Sequence, residues 1–237
     1  MVDEGAWQIE RKNMEYDLTE IIINIKNKDK ISISYIQRTF SYGFNKSNKI
    51  FHDLIEEGYI DAEGKVNKKR VDPNYVEGPK VIFLDVDGVL NCRGTEDVFC
   101  GSAGIEDEKV ALLKQIVDSA KAVIVLVSSW KEWWYKEPHL KQEQDSFANY
   151  LDRKLAKQGL TIVDKTEDYN PFNRGEGIIE FIDRKRRSGF EISNFVILDD
   201  ELFDYKRTKL TKNLIQTSYE KGGLQKKHVR KAIEKLC

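Results

Sequence analysis

Val81-Ile-Phe-Leu-Asp85-Val-Asp87-Gly88-Val-Leu-Asn91 is the stretch on which the reading of this chain turns. Its first four residues are apolar without alternation, the pattern of a strand buried on both faces, as in a parallel sheet. The run ends in two aspartates spaced by one residue, then a glycine. Two later runs have the same form. Ala122 to Val127 ends in Ser128 and Ser129, and Phe195-Val-Ile-Leu198 ends in Asp199 and Asp200. Between and beyond them the spacing predicts helices over Glu108 to Ala120, Phe147 to Leu155, Gly177 to Arg186 and Gln225 to Leu236. Further strands are expected at Leu160 to Val163 and Leu214 to Thr217. Strands alternating with helices predict an α/β, Rossmann-like doubly wound parallel sheet, with its site at the carboxyl ends of the strands.

Neighbouring parallel strands lie about 4.8 Å apart, so the acids at those ends converge. Clustered carboxylates repel unless a cation neutralises them, and hard oxygen ligands in an incomplete cage point to Mg²⁺. The expected metal-binding residues are Asp85, Asp87, Asp199 and Asp200. Asp204, four residues after Asp200, leaves open which acid is innermost. Ser128 stands at the end of the second strand, and Ser129 is a candidate beside it because the register is uncertain by one residue. Arg174, after a Pro171-Phe-Asn turn, is the preferred basic group. Lys185 is the alternative, although its run Arg184-Lys-Arg-Arg187 also suits a solvated helix end.

The order Asp85-Val-Asp87-Gly88-Val-Leu-Asn91, Ser128, a basic residue, then Asp199-Asp200 resembles the haloacid dehalogenase (HAD) phosphohydrolase superfamily. Ser128-Ser-Trp130, Arg174-Gly-Glu-Gly-Ile-Ile-Glu180 and Leu198-Asp-Asp200 look most like the HAD domains of Swiss-army-knife RNA repair proteins. The resemblance covers about residues 79 to 237. It implies a phosphomonoesterase with Asp85 as nucleophile, Asp87 as general acid and base, Gly88, Ser128, Ser129 and Arg174 at the phosphate, and Mg²⁺ as cofactor. The chemistry agrees, since a carboxylate attacks phosphorus without a general base and gives a hydrolysable acyl phosphate. Only about forty residues separate Asp87 from Ser128, too few for an inserted cap domain beside a helix and a strand. A capless site suits a large substrate such as a phosphorylated nucleic-acid end.

Trp130, Trp133, Trp134 and Tyr135 are expected to fill the core or cover the sheet edge, with stacking on a nucleobase as the alternative. His52, His139 and His228 show no ligand spacing and are expected at the surface. Cys92, Cys100 and Cys237 show no metal spacing, and their odd number without a secretory signal suggests a reducing cytoplasm.

The first seventy-odd residues have another character. Helices are expected from Met14 to Ile25, over Tyr35 to Phe40 with Ser34 as cap, and over Lys46 to Glu57 with Asn45 as cap. Ile31 to Ile33 is expected to form a short strand. A hairpin is expected at Glu63-Gly64-Lys65, its wing running to Arg70. Val71 to Pro79 reads as a linker, holding two of the four prolines. This divides the chain into residues 1–76, a winged helix-turn-helix, and 77–237. Gly43-Phe-Asn45-Lys46 before the third helix, with the pattern from Ile31 to Ile60, resembles the winged-helix gamma domain of FtsK-type DNA translocases. The resemblance implies a nucleic-acid partner, DNA above all, met by the third helix and wing. The residues expected to carry it are Arg38, Asn45, Lys46, Lys49, Lys68, Lys69 and Arg70.

Composition narrows the alternatives. With 39 Lys and Arg against 40 Asp and Glu in 237 residues, net charge cannot drive polyanion binding, and only a local basic patch can. The longest apolar run, Ala122 to Val127, is too short to span a bilayer, so no membrane partner is expected. Two readings compete with a nucleic-acid phosphatase. One is a non-catalytic DNA-binding regulator that senses a phosphorylated ligand, against which the pairing of Asp85 with Asp87 argues. The other is a small-molecule phosphatase carrying a protein-binding module.

Overall fold

A computed structural model describes residues 16–72, 77–136, 146–167, 170 and 172–237. The chain forms two compact units, Met1–Val76 and Glu77–Cys237.

The described part of the first unit contains α1 (Leu18–Ile25), α2 (Ile33–Phe40), α3 (Phe44–Glu56) and a single helical turn, α4 (Lys68–Val71). Ile21, Ile25, Ile36, Ile50 and Leu54 are fully buried between the helices. Antiparallel bridges pair Lys30 with Lys65 and Ile60 with Val66. Gly64 turns the chain between them at φ +80°, where a Cβ would strike the Ile31 carbonyl.

Several expected boundaries move. The predicted start at Met14 lies outside the described residues, and Asp17 caps α1 through the Thr19 N–H. Ser32, not Ser34, caps α2, accepting from the Tyr35 N–H at 3.2 Å, so Ile33 is helical and the bridge falls on Lys30. Gly43, not Asn45, starts α3. Lys68 to Arg70 coil into α4 instead of extending a wing, because the Asn67 side chain accepts the Arg70 N–H and nucleates a turn. Val71, expected in the linker, is therefore the buried end of that turn, and residues 73–76 lie outside the described residues.

The second unit runs β1 (Lys80–Leu84), a ribbon of β2 (Val98–Phe99) and β3 (Ser102–Ala103), α5 (Asp107–Ala120), β4 (Ala122–Leu126), α6 (Phe147–Ala156), β5 (Ile162–Lys165), α7 (Arg174–Arg187), β6 (Asn194–Asp199), β7 (Leu214–Gln216) and α8 (Lys226–Leu236). The main sheet has the order β5-β4-β1-β6-β7, with every pairing parallel. It is the expected Rossmann-like doubly wound sheet. Alternate strand residues face opposite helical layers. Ile82, Leu84, Ile124, Leu126, Val196 and Leu198 pack with α5, α6 and α8. Val81, Phe83, Val125 and Ile197 pack with Ile178 and Phe181 of α7. Each such fully buried side chain contributes about 1.5–3 kcal/mol of transfer free energy.

Register places the site. Leu84 stands opposite both Leu126 and Leu198, so Asp85 and Asp199 lie side by side one residue later. The Asp85 N–H continues the ladder to the Leu198 carbonyl at 2.9 Å.

The fifth strand begins two residues later than expected. Gly159, at φ +71°, turns the chain after α6 so that Leu160 N–H reaches back to the Leu155 carbonyl and Leu160 is buried just past the end of the helix. α7 begins three residues earlier than expected. The Asp204 carboxylate accepts from Gly175 N–H at 2.6 Å and Glu176 N–H at 3.1 Å, fixing a start the local sequence does not signal. Asp204→Ala should cost about 2 kcal/mol of stability, since it removes a charged cap from a helix N-terminus. Urea unfolding measures this, and an unchanged midpoint would remove Asp204 from the capping role.

Candidate active site

Asp85 follows β1 and is 3% exposed. Arg174, the first residue of α7, reaches over to it. One guanidinium nitrogen lies 2.9 Å from Asp85 Oδ2 and 2.8 Å from Asp199 Oδ2. The Phe203 ring backs the guanidinium, with its centroid 4.2 Å from Arg174 Cζ. Tyr205 donates its hydroxyl to Asp199 at 2.7 Å. Lys185, the other candidate, pairs instead with Asp164 at 2.7 Å. The chain thus brings Arg174 to the acids and leaves Lys185 in a pair of its own. The Pro171 turn before Arg174 is only partly described, because Pro171 lies outside the described residues.

Asp85, Asp199 and Asp200 each offer a carboxylate oxygen within 4.8 Å of the others. The Oδ1 of Asp85 is buried and makes no well-formed hydrogen bond. The Ser128 hydroxyl is near enough only to bias Asp85 towards its charged form. A buried carboxylate with one oxygen short of hydrogen bonds, clustered with two further carboxylates, fits a hard cation such as Mg²⁺. The electrostatics of the cluster point the same way. Burial pushes the Asp85 carboxyl up, against the opposing pull of Arg174. Burial and then the Asp85 charge push Asp199 up to about 7 and raise Asp200. Burial works against the charge on Arg174, but Asp85 and Asp199 outweigh it and hold the guanidinium firmly protonated.

Asp87 points elsewhere. Its side chain is not one of the clustered carboxylates. The Asn91 side-chain amide donates to its Oδ1 at 2.8 Å, and the Trp130 indole N–H donates to its Oδ2 at 3.0 Å. Asn91 also accepts from Gly88 N–H at 2.9 Å, so one amide fixes both the turn and the acid. Gly88 sits at φ +69°, where a Cβ would collide with the Asp200 carboxylate. Asp85, Asp87, Arg174, Asp200, Phe203, Tyr219 and their neighbours line an open cavity of about 530 Å³.

Ser128 is fully buried and accepts from Trp130 N–H at 3.4 Å, capping the 3₁₀ turn Ser129–Trp133. Ser129 opens that turn and is exposed. The site contains partners that sequence reading did not single out in these roles: Trp130 and Asn91 on Asp87, and Tyr205 on Asp199. Trp130 and Trp134 are buried, so neither is open to a stacking base. His228, expected at the surface, is 7% exposed, because its ring folds back to accept the Gln225 N–H at 3.1 Å. His139 lies outside the described residues.

In the first unit, Arg38, Asn45, Lys49, Lys69 and Arg70 are exposed. Lys46 lies over the Tyr42 ring at 4.1 Å and Arg70 over the Tyr59 ring at 5.2 Å. Lys68 is less available than expected, being paired with Asp29 at 3.2 Å.

Residues 81–229 match the family model of the HAD domain in Swiss Army Knife RNA repair proteins. The chain belongs to this family. The match spans β1 through the first turn of α8 and so contains Asp85, Asp87, Arg174, Asp199 and Asp200. No curated protein and no solved structure matches the chain significantly. Between Asp87 and Ser128 this HAD domain carries only the β2–β3 ribbon, α5 and β4. Among the described residues no helix is long and apolar enough to cross a membrane.

Proposed function

We propose that the protein is a Mg²⁺-dependent phosphatase acting on phosphorylated nucleic-acid ends through an aspartyl-phosphate on Asp85. The observation that carries this reading is the contrast between two carboxylates one residue apart. Asp85 is buried beside Arg174 with an unshared oxygen, while Asp87 is exposed and held at the cavity by two donors. One group is arranged as a nucleophile and the other for proton transfer.

Asp85, Asp199 and Asp200 would hold Mg²⁺, which would screen the phosphate charge and polarise its oxygens. An oxygen of Asp85 attacks phosphorus and the P–O bond to the leaving alcohol breaks. Asp87 gives that oxygen its proton. Water then attacks the acyl phosphate, Asp87 takes back a proton, and inorganic phosphate leaves with Asp85 restored. Arg174 offsets charge on the transferring group from the side of α7. Ser128 caps the turn beside Asp85. A phosphate-release screen with Mg²⁺ across phosphorylated oligonucleotides, nucleotides and phosphopeptides tests the reading. Oligonucleotide ends should be turned over fastest, and no release from any of them would reject it.

Trp130→Phe should retain the aromatic packing against Phe147 and Tyr150 but lose the donor to Asp87. A fall of roughly tenfold in kcat is expected, a fraction of the roughly hundredfold or more that general acid–base catalysis contributes, with little change in Tm. Unchanged kcat would show that Asp87 needs no such support.

The first unit is proposed as a winged helix that binds nucleic acid through Arg38, Asn45, Lys46 and Lys49. Removing residues 1–76 should weaken binding to oligonucleotides and lower their turnover by about tenfold or more, through lost effective concentration. Turnover of p-nitrophenyl phosphate should hardly change. Binding by the full chain should weaken steeply with salt as phosphate contacts are lost. Equal oligonucleotide turnover by the two forms would leave the unit without a targeting role.

A further inference from the structure

A second cavity, of about 330 Å³, adjoins the catalytic one. Asp200 and Ser218 line both. Its other walls are polar and basic, with Lys221, Lys227, Gln225 and His228 among them. Lys221 and Lys227 are exposed and form no ion pair with any other described residue.

The imidazole adds a donor to this lining. His228 Nδ1 accepts the Gln225 N–H, so the proton of the neutral ring sits on Nε2. Burial, then Lys227, Lys231 and Lys109, disfavour a charge on this ring. Nε2 makes no hydrogen bond to another described residue. Apart from Asp200 at the boundary with the catalytic cavity, the wall is a set of donors and positive charges, which suits an anion that takes hydrogen bonds.

The segment from Thr217 to Gln225 ties this wall to the catalytic turn. Thr217 donates its hydroxyl to the Gly88 carbonyl at 2.7 Å, and Leu224 N–H donates to the Val89 carbonyl at 2.9 Å. Arg93 N–H donates to the Tyr219 carbonyl at 2.8 Å. Gly223 lies so close that a Cβ would come within 2.9 Å of the Val89 and Asn91 carbonyls. The two cavities are thus held in a fixed relation. Tyr219, 36% exposed, sits on the catalytic side of the shared wall.

We propose that this second cavity binds the phosphodiester next to the terminal phosphate of a polynucleotide, with Lys221, Lys227 and His228 as its contacts. The inference rests on the phosphatase reading above and adds to it a substrate class, a chain carrying a second phosphate. A nucleoside with one phosphate would fill only the catalytic cavity.

The test compares a nucleoside 3′,5′-bisphosphate with the 3′- and 5′-monophosphates, using the full chain, Lys221→Gln/Lys227→Gln and Lys221→Arg/Lys227→Arg. The wild type should prefer the bisphosphate in kcat/KM. The glutamine variant should lose about tenfold of that preference, chiefly in KM, while monophosphate and p-nitrophenyl phosphate turnover stay within about twofold. The arginine variant should restore it. An unchanged preference, or an equal loss on all substrates, overturns the proposal. Titration calorimetry of the bisphosphate is measured in parallel. If no substrate releases phosphate, the phosphatase reading fails. The cavity then stands if the glutamine variant binds the bisphosphate more weakly than wild type, and falls if it binds equally.

Discussion

Asp85→Asn should abolish phosphate release while leaving the protein folded. The amide has nearly the volume of the carboxylate and keeps an oxygen for Arg174, which lies 2.9 Å away in the wild type. It cannot form the acyl phosphate. Loss of a covalent nucleophile removes far more than a binding contact, and a drop of about a thousandfold or more is expected in kcat. Folding should not suffer, because Asp85 is a buried acid whose ionisation burial already disfavours. Phosphate release and Tm measured on the same preparation decide the matter. Retained turnover in a well-folded variant would remove Asp85 from the nucleophile's role.

Mg²⁺ should raise Tm, and raise it more at pH 8 than at pH 5. Asp199 is pushed up to about 7 from an ordinary value of 3.8, chiefly by burial and then by Asp85. Between about pH 4 and pH 7 the folded chain therefore holds a proton that the unfolded chain has released. Stability of the metal-free protein falls as pH rises through that window, because the carboxyl must ionise while buried. A cation replaces the proton, so its stabilising effect grows across the same window. At a concentration one hundred times Kd the stabilisation is about 2.7 kcal/mol, which corresponds to roughly 5–10 °C for a unit of this size. Thermal unfolding with Mg²⁺ and with a chelator, at both pH values, measures it. Equal shifts at the two pH values would mean that the cation does not bind at these carboxylates.

The sheet was legible because its strands are buried on both faces. That burial leaves an unbroken apolar run at Val81 to Leu84, Ala122 to Leu126 and Phe195 to Leu198, and the acids that follow must emerge at one edge. The convergence of Asp85, Asp199 and Asp200 follows from register alone. The start of α7 was not legible, because its cap, Asp204, comes from 28–29 residues further along the chain. The role of Trp130 was hidden for a similar reason. Its ring fills the core as expected, but its N–H is aimed at Asp87 across 43 residues of sequence. In the first unit, Ser32 and Ser34 both have the chemistry of a cap. The choice between them depends on which hydroxyl meets a free N–H once Ile36 is buried.

The bridging of Asp85 and Asp199 by a single Arg174 nitrogen has a bearing on how the protein matures. In small zinc domains the ligands repel one another until the ion arrives, so folding waits for metal. Here a resident guanidinium already holds two of the acids together, and a sheet with a core on each face supports them. If Mg²⁺ loads at these acids as proposed, chain folding and cation loading are separable events. Newly made protein would then reach its native form while the ion is scarce and become competent later. Competence would follow the free concentration of the ion, with no need to rebuild the molecule around it.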